Sequence, residues 1–301
     1  IPAILYSVLN LMSISIPHGS IESMEAIKSN NYYTYNHYPF AVQLYNSVRI
    51  DPISPYRLCG IYNEPGVVGT MCALLLTADS YRIKNKWQNI ILLIGGILSF
   101  SLAFYLMMGI YFVLANIGKH KFKNALALGI VIIAVAIFMN VNFSNPALKS
   151  LQARVQISQE GLIGDNRTND RFDYVFSEVA ENPIALFIGF GMGAIGTIQR
   201  ERLIDGSSYK CLIYDYGYIG LALFLLWLFV VVKEYKGKKW SYGVLILLVI
   251  YILNIYQRPT MFYPAYLVVL LGGCFNINKE VFENTKVNDR HGTLFKIRSR
   301  R

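Results

Sequence analysis

The chain has 301 residues, of which 54% are hydrophobic and only 15% are charged. This composition is too apolar for an ordinary soluble domain and favours a protein that lies in a membrane. The net charge of +10 would suit a nucleic-acid-binding protein, but lysine and arginine lie largely in short linkers between apolar runs and in the tail Lys279 to Arg301. That distribution follows the positive-inside rule and argues against nucleic acid as a partner.

The apolar runs predict the fold class. A helix needs about 20 apolar residues to cross a hydrocarbon core of about 30 Å. The runs are continuous rather than alternating, so they indicate helices and not a barrel. We expect an all-α, polytopic membrane bundle over residues 1–278, with a basic cytoplasmic tail over 279–301. Because the sequence opens inside an apolar run and without Met, we also expect an upstream portion with further spans.

Two polar segments, about 18–64 and 144–211, are expected on the outer side of the membrane. The first follows a predicted span, Ile1 to Pro17. It ends at Glu64, just before Pro65, and proline suits the first turn of a helix while an acidic residue is favoured at the positive helix end. Glu64 is therefore predicted at the membrane surface, where the span Gly66 to Ala78 begins.

The next apolar run, Asn89 to Ile117, contains no charge over 29 residues. As one straight helix it would be about 44 Å long, which exceeds the hydrocarbon core. Both flanking linkers are basic and so are predicted to be cytoplasmic. We expect a hairpin that turns back around Ser99, Phe100 and Ser101; the alternative is one long tilted span.

Four further spans are predicted, at Ala125 to Val141, Leu212 to Val232, Trp240 to Tyr256 and Met261 to Phe275. With the hairpin, they put the lysine-rich linkers on one side and both polar segments on the other. The spans carry almost no ionisable side chains, Asp215 being the exception. An ion-coupled transporter usually needs such groups near the midplane, so this class is disfavoured.

The second polar segment contains an amphipathic helix and a glycine-rich run. Asn169 suits the helix cap, and the helix is predicted to end before Asn182-Pro183. Its apolar face is formed by Phe172, Val175, Phe176 and Val179, with Arg171, Tyr174, Glu178 and Glu181 opposite. It is either a solvated surface helix or part of a site.

The glycines at 191, 193 and 196 match G-x-G-x-x-G, but no strand precedes them, so a dinucleotide site is excluded. Their backbone donors could approach an anion, or the loop could return to the membrane interface.

Arginine is concentrated on the predicted outer side, whereas most lysines lie inside. The planar guanidinium binds phosphate oxygens in a bidentate manner that lysine does not reproduce. An apolar bundle with arginines at one surface suits a lipid-linked phosphate. The four cysteines show no metal-binding spacing. Cys59 and Cys211 flank the outer face, where an oxidising compartment would permit a disulfide.

Four stretches together resemble the O-antigen polymerase and ligase superfamily, and most closely a Wzy-type polysaccharide polymerase. They are RLCGIYNEPGVVG (Arg57 to Gly69), LSFSLAFYLMM (Leu98 to Met108), DRFDYVFSEVAENPIALFIGFGMG (Asp170 to Gly193) and SYKCLIYDYGYIGLALF (Ser208 to Phe224).

The resemblance implies glycosyl transfer at the periplasmic face of a bacterial inner membrane, in O-antigen, capsule or exopolysaccharide synthesis. Donor and acceptor would be glycans on undecaprenyl pyrophosphate, with membrane lipid and a chain-length regulator protein as further partners and no metal or cofactor. The implied catalytic residues are Glu64, as general base, and Arg171, which with Arg57 would hold pyrophosphate. Tyr209, in the last of the four stretches, is a further candidate for substrate binding. Arg154, Arg167 and Arg258 are candidates from their predicted side and residue type and not from a motif.

Two departures bear on the choice within the superfamily. The ligase branch typically has a histidine where this chain has Ser208-Tyr209, and an arginine after the hairpin serine where this chain has Leu102. The first disfavours a ligase, and the second weakens a phosphate role for the hairpin tip. Two alternatives stay open: a ligase that moves finished glycan to a lipid or protein acceptor, and a non-catalytic carrier or flippase for the same lipid.

Overall fold

The computed structural model describes residues 1–12, 14, 16–22, 33–39, 41–46, 57–62, 64–82, 86–116, 140–142, 152, 157–158, 161–162, 170–202, 204, 208–235, 241–256, 258, 261 and 263–279. The described chain is mostly helical, as expected. The predicted span Ala125 to Val141 and the tail 280–301 lie outside the described residues, apart from residues 140 and 141.

The first polar segment folds into a sheet, so the prediction of an all-α fold is incomplete. After helix α1 (Pro2–Leu11) come four antiparallel strands that pair in chain order. They are β1 (Gly19–Glu22), β2 (Tyr33–Tyr38), β3 (Ala41–Asn46) and β4 (Leu58–Gly60).

Tyr38 packs the β2–β3 hairpin against α1. Tyr38 pairs with Ala41, which leaves a two-residue loop containing Pro39. The Tyr38 side chain is buried and stacks on Tyr6 of α1, with ring centroids 4.6 Å apart. A stacked aromatic pair contributes roughly 0.5–1.5 kcal/mol beyond its buried area. The contact fixes the sheet against the helix that precedes it.

Six apolar helices share one hydrophobic core. They are α2 (Pro65–Ala78), α3 (Trp87–Leu98), α4 (Leu102–Asn116), α8 (Tyr209–Tyr235), α9 (Tyr242–Ile255) and α10, residues 264–279. Within the described residues, one helix, Tyr209–Glu234, is long and apolar enough to cross a membrane. The other apolar helices are shorter, so the described part of the chain contains a helical bundle with one candidate membrane span.

The predicted hairpin is present, with its tip at Ser99–Ser101. The tip packs closely on α2, because a Cβ atom added to Gly69 of α2 would lie 2.5 Å from the Ser101 Cβ atom. At the other end of α2, Asn89 of α3 bonds to Asp79, and the Tyr81 ring lies 4.4 Å from that of Tyr111 of α4. The helices α3 and α4 therefore run in opposite directions along α2.

These contacts define two ends of the bundle. The end that holds Glu64, the hairpin tip and the start of α8 is called the Glu64 end. The opposite end, called the Asp79 end, holds Asp79, Lys86 and the later part of α10. Arg82 and Lys86, from the basic linker after α2, lie at the Asp79 end, and the sheet leads into the Glu64 end.

At the Asp79 end, one carboxylate holds three segments together. Asp79 accepts hydrogen bonds from Lys86 at 2.6 Å, Asn89 at 2.5 Å, Asn276 at 3.0 Å, and from Arg82. Burial raises the pKa of Asp79, but the hydrogen bonds outweigh it, and the net pKa lies below its ordinary value. The Asp79 carboxylate therefore links the end of α2 to the start of α3 and to α10.

The described part of the second polar segment forms a smaller unit with its own core. After the short hairpin β5 (Ile157–Ser158) and β6 (Gly161–Leu162) come helices α5 (Asp170–Ala180), α6 (Pro183–Ile188) and α7 (Ala194–Arg202). The predicted apolar positions Phe172, Val175 and Val179 are buried against Cys211 and Tyr214 of α8.

The predicted helix end at Asn182-Pro183 is confirmed. The Asn182 side chain caps α6 by accepting hydrogen bonds from the backbone N–H groups of Ile184 and Ala185. The predicted cap Asn169 lies outside the described residues.

Candidate functional site

Glu64 occupies the N-cap of α2 but does not use its side chain as a cap. Its backbone is extended and Pro65 takes the first helical position, where the missing N–H costs nothing. The carboxylate instead reaches the guanidinium of Arg258, with Oε2 accepting from Nη2 at 3.2 Å. The predicted catalytic carboxylate and a predicted phosphate-binding arginine, 194 residues apart in sequence, are thus in direct contact.

Arg258 is held by the turn that follows α9. Its backbone N–H donates to the Asn254 carbonyl at 2.8 Å, and its carbonyl accepts from Met261 N–H at 3.2 Å. Its Nε lies 3.4 Å from Thr70 Oγ1, so the guanidinium contacts two positions of α2.

The side chain of Arg258 is 8% exposed, whereas that of Glu64 is 43% exposed. A buried guanidinium requires a counter-charge, and Glu64 supplies it while keeping one face open. Glu64 is therefore the accessible member of the pair, and Arg258 fixes its position.

Arg57 lies beside the same helix. Its Nε donates to the backbone carbonyl of Ser99 at 3.1 Å. The tip approaches α2 closely, since a Cβ on Gly69 would lie 2.9 Å from Ser99 Oγ. Arg57 therefore bonds to the hairpin tip that packs on α2 at Gly69, and Gly69 directly precedes Thr70, which Arg258 contacts.

The hairpin tip is thereby part of the site, although only its fold was predicted from the sequence. Ser99 and Ser101 are buried, and Ser99 Oγ donates to the Gly96 carbonyl at 2.6 Å. The backbone of Phe100 has a φ of +46°, a conformation that non-glycine residues rarely adopt. The tip presents a backbone carbonyl to Arg57, and this contact orients the arginine.

Tyr209 lies at the Glu64 end of the bundle but touches the pair only indirectly. Its backbone N–H donates to the Tyr256 carbonyl at 3.3 Å, and the two rings are stacked with centroids 5.9 Å apart. Tyr256 comes two residues before Arg258. The start of α8 is therefore adjacent to the site through Tyr256.

Three other predicted arginines are not among the side chains that the structure describes. Arg154 and Arg167 lie outside the described residues, and of Arg171 only the backbone, in the first turn of α5, is described. A shared site for Arg57 and Arg171 stays a prediction.

Two ion pairs fasten the helix that carries Arg171. Asp173 accepts from Lys210 at 2.6 Å, and Glu178 accepts from Arg202 at 2.7 Å. The hydrogen bond to Glu178 raises the pKa of Arg202 above its ordinary value. The helix α5 is thus joined to α7 through Arg202 and to α8 through Lys210, the residue that follows Tyr209.

The glycine-rich run does meet an anion, but that anion is a side chain of the same protein. The backbone N–H groups of Gly193 and Ile195 donate to the two carboxylate oxygens of Asp215, at 3.1 and 2.8 Å. A helix, α6, precedes the run, which is inconsistent with a dinucleotide-binding unit. The sequence singled out Asp215 as the ionisable residue of its predicted span, but gave no sign that the glycine-rich run would bind it.

Other candidate chemistry is limited within the described residues. Cys59 and Cys211 are buried as separate thiols and are not joined in a disulfide. No group of three or more His, Cys, Asp or Glu side chains in the described ranges is placed to hold a metal ion.

The site thus consists of a half-exposed carboxylate, a buried arginine that holds it, and a second arginine bonded to the hairpin tip that packs on α2. Comparisons with protein-family models, with curated proteins and with solved structures found no match for this chain.

Proposed function

We propose that this chain is an integral membrane glycosyltransferase that joins oligosaccharide repeat units carried on undecaprenyl pyrophosphate. The reaction takes place at the periplasmic face of a bacterial inner membrane. The proposal is supported by the sequence resemblance and, above all, by the contact between Glu64 and Arg258 with Arg57 alongside, at the Glu64 end of an apolar helical bundle.

In the proposed reaction, the hydroxyl oxygen of the acceptor sugar attacks the anomeric carbon of the donor glycan. The bond between that carbon and the phosphate oxygen breaks, and undecaprenyl pyrophosphate leaves with the electron pair. Glu64 accepts the proton of the attacking hydroxyl, a role for which its exposure suits it. The orientation of its carboxylate depends on Arg258.

Negative charge develops on the leaving pyrophosphate as the bond breaks. Arg57, together with Arg171, stabilises that charge, and such contacts strengthen in the transition state. Arg258, buried next to the Glu64 carboxylate, adds a further positive charge that favours the leaving pyrophosphate. Removal of Arg57 should therefore slow turnover more than it weakens binding of the donor.

The first experiment replaces Glu64 by Gln and Arg57 by Ala in cells that lack the native gene but make all other components of the pathway. We expect long-chain polysaccharide to be replaced by single repeat units, with a loss of about 10²- to 10⁴-fold for the general base. Arg200→Ala is the matched control, because Arg200 is exposed on α7 and bonds to Gly196. An unchanged ladder of chain lengths in both site variants would refute the proposal.

A second experiment separates the three candidate functions. The purified protein is incubated with donor lipid and acceptor, and release of undecaprenyl pyrophosphate is measured. A carrier or flippase releases none. In cells without the chain, a polymerase leaves single lipid-linked units, whereas a ligase leaves full-length lipid-linked polymer.

A further inference from the structure

A second apolar surface lies outside the site just described. The segment from Pro183 to Ile198 carries no charged residue over its 16 positions, and it is here called the apolar loop segment. It comprises α6, the glycine-rich run and the first part of α7. Leu186, Ile195 and Ile198 pack into the core of the smaller unit. The other large apolar side chains are exposed: Ile184, Phe187, Ile188, Phe190 and Met192.

The exposure of these side chains is unusual for a surface in water. Met192 is 85% exposed and Ile184 is 70% exposed. Proteins in water rarely leave a contiguous apolar patch of this kind uncovered. At 16 residues, with glycines at 189, 191, 193 and 196, the segment is too short and too interrupted to cross a bilayer, since a spanning helix needs about 17–25 residues.

The patch is continuous with the exposed apolar surface of α8. Gly217, in α8, approaches the segment so closely that a Cβ there would lie 2.1 Å from the Phe187 carbonyl oxygen. Tyr218 and Ile219, directly after Gly217, are exposed, and so is Leu223 one turn later. The helix α8 is kinked at Gly217, and among the described helices it is the one long and apolar enough to cross a membrane. The same lipid would therefore cover both surfaces.

Asp215 holds the segment at a fixed level along α8. Its carboxylate accepts from Gly193 and Ile195, while its backbone carbonyl accepts from Gly191 at 2.9 Å. These three bonds satisfy backbone donors that lipid could not satisfy. They tie the segment near the start of the candidate span, which is where a membrane surface would lie.

We propose that the apolar loop segment is embedded in the interfacial layer of the outer leaflet, with lipid as its partner. Interfacial elements of this kind bury their apolar face about 5–10 Å below the headgroups. The inference rests on the membrane location in the proposed function but not on the glycosyl transfer. It places a lipid-contacting element beside the start of α8, next to the Glu64 end.

The test uses the full chain in lipid nanodiscs, with one environment-sensitive fluorophore attached at Met192→Cys. The four native cysteines are buried, and the unsubstituted chain gives the background labelling. Quenching is compared between lipids with a nitroxide near the headgroup, lipids with a nitroxide deep in the acyl chain, and aqueous iodide. We expect the shallow nitroxide to quench most strongly and iodide to quench at least fivefold less than at a water-exposed site.

Two matched variants give the reference values. Leu223→Cys lies near the middle of the candidate span and should be quenched by the deep nitroxide, while Tyr174→Cys, 68% exposed on α5, should be quenched by iodide alone. If Leu223 responds to lipid but Met192 responds only to iodide, or to neither quencher because protein covers it, the inference is wrong. If Leu223 does not respond to lipid, the membrane location itself is wrong.

Discussion

The contact between Glu64 and Arg258 can be measured by a double-mutant cycle on stability. Removing one partner of a fully buried ion pair costs about 3–5 kcal/mol, whereas an exposed pair contributes about 0–1 kcal/mol. Here one side chain is 8% exposed and the other 43%. We therefore expect Glu64→Ala to lower the free energy of unfolding by about 2 kcal/mol, because the buried guanidinium loses its counter-charge.

Arg258→Ala should cost a similar amount, since it also removes the contact with Thr70. The double variant should be less destabilised than the sum of the two single variants by about 1 kcal/mol. That difference isolates the pair from the other contacts of each residue.

The free energy is measured by denaturant titration in mixed micelles, following the fluorescence of the three tryptophans. Glu181→Ala, at an exposed position directly after α5, is the matched control and should stay within about 0.5 kcal/mol of the parent. A coupling energy of zero, with both single variants at full stability, would show that the pair does not fix the carboxylate and would refute the positioning role of Arg258.

Three further predictions concern the framework around the site. Asp79 has a lowered pKa, so its contribution to stability is present above its unfolded-state pKa and is lost as the pH falls through the lower folded-state pKa. When the free energy of unfolding is measured at decreasing pH, Asp79→Asn should therefore lose less stability than the parent. Gly217→Ala should destabilise by roughly 3 kcal/mol or more, because Gly217 has a φ of +65° and its Cβ would clash with Phe187. The control is Gly109→Ala on α4, where an added Cβ would meet no atom within 4 Å. Thermal unfolding of both variants is compared, and the control should be neutral or slightly stabilised. Asp215→Ala should increase hydrogen exchange at Gly193 and Ile195 by roughly 100-fold, since both N–H groups lose a charged acceptor; unchanged exchange would contradict the anchoring role.

The helices of the bundle were largely predictable because hydrophobic runs and helix-terminating residues are local signals. Pro65, the basic linkers and the Asn182-Pro183 pair each gave a boundary that the structure reproduces within a few residues. The hairpin at Ser99 was predicted from charge on both flanking linkers, since a segment with both ends on one side must reverse.

The sheet in the first polar segment was missed for a physical reason. The pairings of β1 with β2 and of β3 with β4 join residues such as Gly19 with His37 and Val42 with Gly60, and β1 and β4 have only four and three residues. Short strands carry little alternating pattern, and a polar, tyrosine-rich segment is compatible with loops as well as strands. The Pro39 loop was the one local signal for a hairpin.

The candidate site shows the same division between local and long-range information. The sequence by itself determined the charge asymmetry, the apolar helices and the residue types at Glu64, Arg57 and Arg258, because each depends on local composition or on a short motif. Only the tertiary structure decided that Arg258 reaches Glu64, that the hairpin tip reaches Arg57, and that Asp215 takes the backbone donors of the glycine-rich run. Those contacts join residues separated by 20 to 194 positions, and only the packing of the helices brings them together.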